Sequence, residues 1–207
     1  RRLGFDEFTI KINNRKILNG LYESINQTEK SVDIMRIIDK IDKIGDQAVM
    51  EELAKIEVPE ESINKIMQFI KIDGTTDEKL QKLQSLGIEN DTYKLGVEEL
   101  GEVVKYIRLF GIEDKNFVID LSIARGLDYY TGTVYETFLN GYRELGSVCS
   151  GGRYENLAQN YTDKKLPGVG ISIGLTRLFY KLNELNLIKV EKKSISDILI
   201  VPMTENL

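Results

Sequence analysis

Residues 124–138 read ARGLDYYTGTVYETF. Arg125 is followed by a glycine, then by Asp128 and two tyrosines, Tyr129 and Tyr130, and then by an alternating, β-branched run. A guanidinium near the end of a core strand is costly to desolvate and needs a partner there. An ion pair with Asp128 or another carboxylate is the ordinary answer. A bound phosphate or carboxylate is the sharper one, because the guanidinium fork matches both. Gly126 would let such a ligand come close to the backbone. Adjacent tyrosines are more often core and rim aromatics than ligand contacts. The pair also offers an apolar wall with a hydroxyl handle, which suits a small polar ring.

The same ingredients recur twice. In CSGGRYENL, Gly151 and Gly152 allow a tight turn or a close backbone approach, and Arg153 and Tyr154 again set a cation and a phenol beside the glycines. The ordinary reading there is a turn followed by a helix. In GVGISIGLTRL, Gly168, Gly170 and Gly174 thin out the end of a strand, and Arg177 falls in the first turn of the next helix. A helix start attracts anions, so an arginine there opposes the macrodipole unless a negative group is bound. No GK[ST] follows, so this is not a P-loop. None of these side chains is an obvious nucleophile or proton-transfer base, and the chain has no histidine. Arginines and phenols suit a reaction driven by positioning and charge neutralisation, such as attack on a phosphate.

The frame that must position these residues is set by composition. The chain has 207 residues, 42% hydrophobic and 29% charged, enough for one sizeable core with a smaller appended module. A net charge of -5 gives no global basic field, so nucleic-acid binding would need a local patch. The single cysteine, Cys149, excludes an intramolecular disulfide and a cysteine cage, and without histidine no metal site is expected. No apolar run approaches the roughly 20 residues of a membrane span, and no charged-then-apolar leader opens the chain. The low cysteine content fits a cytoplasmic setting.

Three textures follow one another. FDEFTIKIN alternates with Phe8, Ile10 and Ile12 on one face, Asn13-Asn14 reads as a turn, and RKILNGLYESI is helical. From about 29 to 112 there is almost no strand signal. SVDIMRIIDKIDKIG carries a broad apolar stripe that ends at Gly45, with Asp46 as a candidate cap for the next helix. Pro59 falls in a first turn, TTDEKLQKLQSLGI opens like a capping box and stops at Gly87, and a last helix ends at Gly111. After about 113 strands return: NFVIDLSIA, TVYETFLN with a hairpin signal at Asn140-Gly141, the two glycine-rich stretches, and SDILIVPM as a further strand. The expected fold class is α+β, an antiparallel sheet flanked by helices with an all-helical insertion.

RGLDYYTGTVYE resembles the histidine-binding signature of histidyl-tRNA synthetases, GGRYENL is similar to the second signature of that family, and GVGISIGLTRL resembles motif 3 of class II aminoacyl-tRNA synthetases. FTIKINNRKIL and IDKIDKIG resemble the segments that precede the family's insertion domain. The resemblance implies ATP-dependent ligation of L-histidine to tRNA(His) through a histidyl-adenylate, in the cytoplasm, by a homodimer with no membrane association. It implies that Arg125 contacts the α-phosphate of ATP and the substrate carboxylate and acts in the transition state. Tyr129, Tyr130, Tyr154, Gly151 and Gly152 would line the histidine pocket, Gly174 and Arg177 would bind ATP, and Mg2+ would accompany the nucleotide. The implied domains are 1–28 (catalytic strand and helix), 29–112 (helical insertion that leans on tRNA), 113–190 (catalytic, with the signatures and motif 3) and 191–207 (the start of an anticodon-binding domain). Nothing here corresponds to motif 1 or motif 2, so the expectation is a fragment that is inactive alone. The competing implications are a non-catalytic regulatory subunit of ATP phosphoribosyltransferase and a tRNA-sensing synthetase-like domain. The arginine of RGLDYY and the helical insertion favour the synthetase over the first, and Arg125 with Arg177 weighs against the second.

Overall fold

The computed structural model describes residues 5, 7–124, 129–188, 196 and 198–201. The chain divides into two compact units, Arg1–Gly174 and Leu175–Leu207.

In the first unit, β1 (Phe8–Asn14) runs straight into α1 (Arg15–Ser24). The expected turn at Asn13-Asn14 is instead a direct strand-to-helix junction. Asn14 is the N-cap, and its side chain accepts from the backbone N–H of Lys16 at 2.9 Å. The helices follow as α2 (Ser31–Ile38), α3 (Ile41–Lys55), α4 (Glu60–Ile70), α5 (Thr76–Ser85) and α6 (Asp91–Leu109). The long apolar stripe is broken between α2 and α3: Ile34, Met35, Ile37 and Ile38 are buried, whereas Ile44 is exposed. Gly45, at φ +79°, kinks α3, a conformation costly for any residue with a Cβ. Asp46 forms an ion pair with Lys71 at the end of α4. Pro59 sits one position earlier than expected, at the N-cap of α4. The capping box at Thr75 and Glu78 is present in full.

The sheet follows the order β2-β1-β3-β4-β5, with β2 (Phe117–Ile119), β3 (Thr133–Leu139), β4 (Cys149–Tyr154) and β5 (Gly168–Ile173). Three pairings are antiparallel, as expected, and β1 with β2 is parallel, Ile10 facing Phe117. The six helices between β1 and β2 supply the long crossover that a parallel pair requires. Strand NFVIDLSIA is shorter than its composition indicated. After Ile119 the carboxylate of Asp120 accepts from the N–H and hydroxyl of Ser122, at 3.0 and 2.5 Å, and this local turn takes the chain out of the ladder. Asn140-Gly141 does not form a two-residue hairpin. The connection continues to residue 148 through a 3-10 turn at Arg143–Leu145, because Asn140 is held from the β1 side by the Glu7 carbonyl and the Thr9 hydroxyl.

One apolar core joins strand and helix textures. Ile12, Ile17 and Tyr22 pack in the same cluster as Ile34, Leu53, Ile66, Leu83, Leu100 and Ile119. Where α1 meets α6 the backbones nearly touch: a Cβ on Gly20 would lie 2.5 Å from the Tyr93 nitrogen, and one on Gly96 would lie 2.7 Å from that of Ile17. In the second unit the regular element is α7 (Leu175–Glu184). The strand expected at SDILIVPM is not formed at Ser196 or residues 198–201, and the rest of that stretch lies outside the described residues.

Candidate functional site

Tyr129 and Tyr130 leave the turn before β3 with their ring centroids 4.5 Å apart and their hydroxyls 3.4 Å apart. Tyr154, at the end of β4, meets Tyr129 edge-on at 6.2 Å. Three of the sequence-expected side chains, two adjacent and the third 25 positions after Tyr129, therefore form one aromatic group. All three are half-buried, so each keeps a face or edge open.

Glycines make the floor beneath them. Gly151 and Gly152 were expected to close a turn or to allow close approach, and they lie inside β4, serving the second purpose. Gly152 faces Gly170 across the ladder, and a Cβ there would come within 2.8 Å of the Tyr130 ring and 2.9 Å of the Thr133 carbonyl. A Cβ on Gly151 would sit 2.0 Å from the Gly170 carbonyl. The same carbonyl accepts from the Tyr135 hydroxyl at 2.7 Å. Burial, then the charge of nearby Cys149, pushes the Tyr135 phenol above its ordinary pKa, so it stays a donor at neutral pH. Burial likewise raises Cys149, despite a hydrogen bond with Thr137, which leaves it a poor nucleophile.

The approach to the tyrosines is anchored by residues that sequence reasoning missed. Asn13 is fully buried, and its Nδ2 donates to the carbonyls of Ile123 at 2.8 Å and Leu121 at 3.3 Å. Arg15, also buried, donates from Nη1 to the carbonyl of Ala124 at 2.7 Å, and its backbone N–H bonds to Gly132. The signal was present as two asparagines and an arginine between an apolar strand and an apolar helix. Nearby, Lys11 pairs with Asp120 at 2.8 Å and with Asp42 at 3.1 Å. Burial alone would raise the Asp120 carboxyl, but Lys11 and the two Ser122 donors outweigh it and hold it below the usual range.

Arg125 through Asp128 lie outside the described residues. Gly174 donates its N–H to Val148 at 2.8 Å, at the end of the sheet. Arg177 is exposed on the first turn of α7 and belongs to the second unit. Arg153 faces Glu155 at 3.4 Å, and its stem covers Gly132. Among the described residues no group of three or more acidic or thiol side chains could hold a metal ion, and no helix is long and apolar enough to cross a membrane.

The comparisons with known proteins agree with this fold. A family model described as histidyl-tRNA synthetase matches residues 1–178. A histidine--tRNA ligase from Clostridium tetani is 54% identical over 208 residues, covering the whole of this chain and 47% of that protein. The crystal structure of histidyl-tRNA synthetase from Nostoc sp. PCC 7120 superposes with a TM-score of 0.86 at 47% identity, over 91% of this chain and 44% of that one. A Bacillus halodurans structure, described as an ATP phosphoribosyltransferase regulatory subunit/histidyl-tRNA synthetase, shares only the fold, with a TM-score of 0.71 at 20% identity, over 87% of this chain and 45% of that one. The chain thus spans about half the length of the curated relatives it matches. With a family model matching residues 1–178 and a relative 54% identical over the whole chain, the chain belongs to the histidyl-tRNA synthetase family.

Proposed function

We propose that the whole protein containing this chain ligates L-histidine to tRNA(His) in the cytoplasm, and that this chain supplies much of the amino-acid pocket. The carrying observation is the group of Tyr129, Tyr130 and Tyr154 on the glycine floor of β4 and β5. Half-buried phenols seated on strand positions without Cβ atoms give a flat, amphipathic face that suits an imidazole. Tyr130 and Tyr154 border the ring, Gly152 lets Tyr130 sit down on the strand, and Gly151 lets the Gly170 carbonyl and Tyr135 come close on the other face.

In this reading a carboxylate oxygen of histidine attacks the α-phosphorus of ATP, the bond to pyrophosphate breaks, and histidyl-adenylate forms. A tRNA hydroxyl then takes the histidyl group and AMP leaves. Arg125 neutralises charge on the carboxylate and the α-phosphate as they approach. Gly174 and Arg177 serve the ATP side, with Arg177 on the γ-phosphate. Mg2+ enters as the ion that accompanies ATP, and no step here runs through it. Residues 29–112 form the part that touches tRNA. Lys40, Lys65 and Lys71 there pair with Glu52, Glu61 and Asp46. Such exposed pairs are weakly held, so a phosphate can displace the carboxylates. A homodimer is the proposed assembly, as in the family resemblance.

The test is ATP–pyrophosphate exchange by the purified full-length protein. Exchange that depends on histidine and is not supported by other amino acids is the expected result. Absence of histidine-dependent exchange in a folded preparation refutes the reading.

A further inference from the structure

Gly168 has an ordinary backbone. It is not among the glycines with positive φ, so its conformation does not require glycine. Its surroundings do. An added Cβ would lie 2.7 Å from the Cε2, Cζ and hydroxyl oxygen of Tyr154, whereas one on Gly170 would reach the same ring only at 3.4 Å. Tyr154 faces Gly168 directly in the β4–β5 ladder, and its ring lies flat across that position. The far side of the group is the Tyr129 ring, edge-on to Tyr154. From the strand below, the absence of one methyl group fixes the height of the phenol above the sheet.

We infer that Gly168 is a positioning residue for histidine binding, acting through the ring of Tyr154; the inference rests on the proposed histidine pocket. Gly168→Ala forces the ring to retreat from 2.7 Å to the 3.4 Å at which ordinary contact begins, which lifts it off the sheet. The hydroxyl moves with it, so the wall of the pocket nearest β5 shifts.

The experiment uses the full-length protein and reads the KM for histidine and for ATP separately in pyrophosphate exchange. Overpacking of this kind corresponds to a rise of about 10–100-fold in the KM for histidine, with the KM for ATP within about twofold of wild type. Tyr154→Ala and the double variant complete a cycle. If Gly168 acts through Tyr154, Gly168→Ala adds less than about twofold once the ring is gone. A full additional effect in the Tyr154→Ala background, or an equal rise in both KM values, overturns the inference. If Gly168→Ala does not fold, the double variant decides: recovery of a folded protein on removal of the ring supports the steric pair, and failure of both overturns it. A wild-type protein without histidine-dependent exchange would count against the histidine pocket itself. Unaltered histidine KM in Gly168→Ala, with an active wild type, would count only against the positioning role.

Discussion

Replacing the fully buried Asn13 by leucine keeps the branched shape of the side chain and removes every hydrogen bond its amide makes. Three backbone groups lose a partner: the carbonyls of Leu121 and Ile123, and the N–H of Asn14, which donates to Asn13 Oδ1 at 2.8 Å. A buried group left without its partner costs about 1–3 kcal/mol. The Leu121 contact is long at 3.3 Å and counts for less. The sum is about 3–5 kcal/mol, a large share of the 5–15 kcal/mol typical of a folded protein. The change is also local in its effect. The freed carbonyls lie in the segment that ends at Ala124, covalently joined to Arg125. Urea and thermal unfolding of full-length Asn13→Leu measure the stability term. Histidine-dependent exchange, at a temperature where the variant is fully folded, measures the second effect, with a fall of about tenfold or more expected from misplacement of a charge-neutralising group. A stability loss below about 1 kcal/mol would refute the accounting, since it would mean that these groups find other partners. Normal exchange in a clearly destabilised variant would refute the link to Arg125.

Further outcomes follow from the same geometry. In the full-length protein, Arg125→Ala should cut histidine-dependent exchange on the order of 10²–10³-fold while leaving ATP affinity nearly unchanged; equal loss in both would remove the transition-state role. Because the folded pKa of Asp120 is depressed, its ion pair with Lys11 contributes stability above the ordinary carboxylate value, and that contribution is lost as pH falls through the folded one. The excess of wild-type Tm over that of Asp120→Asn should therefore hold between about pH 5 and 8 and shrink below about pH 4; a difference independent of pH would refute the assignment. Deletion of residues 29–112 should abolish soluble, folded protein, whereas deletion of 29–89 with a short linker should retain adenylate formation and weaken aminoacylation; a folded 29–112 deletion that still forms adenylate would show that α6 does not belong with the sheet, and an unfolded 29–89 deletion would refute the boundary after α5.

Much of the fold could be read from the sequence because its signals are local. The capping box at Thr75, the stops at Gly87 and Gly111 and the alternation of β1 and β3 each depend on a few neighbouring residues. What could not be read is relational. Asn13-Asn14 looks like a turn until Leu121 and Ile123 are placed beside it, more than a hundred residues later. Gly151 and Gly152 look like a turn until β5 is laid against β4. Asn140-Gly141 carries a hairpin signal that tertiary bonds to Glu7 and Thr9 override. For the site, the tyrosines and glycines were legible as residue types. The role of Gly168 depends on a cross-strand distance to Tyr154 that composition does not encode.

The helical stretch shows how texture and packing divide a chain differently. By texture, residues 29–112 are one strand-free block. By packing, α6 is bound to α1 through the Gly20 and Gly96 crossing, where no side chain larger than hydrogen fits between the backbones. Its N-cap residue, Asn90, also donates to Glu23 of α1 at 2.8 Å, and Glu99 ties α6 to Asn14 and Lys16. These bonds reach the same junction that holds Asn13 and Arg15, so α6 braces the segment running toward Arg125 from the outside. At its far end Arg108 bridges Asp77 of α5 and Asp114 before β2. The buried Lys79 of α5 donates to the Ile119 carbonyl at 2.9 Å, at the end of β2. A boundary placed after α5 still cuts that last contact, but one placed after α6 removes the support of the strand-to-helix junction itself. The helices from α2 to α4 make no hydrogen bond of this kind to the site-bearing strands β3, β4 and β5 among the described bonds, and they are the part of the block free to serve a separate partner such as tRNA.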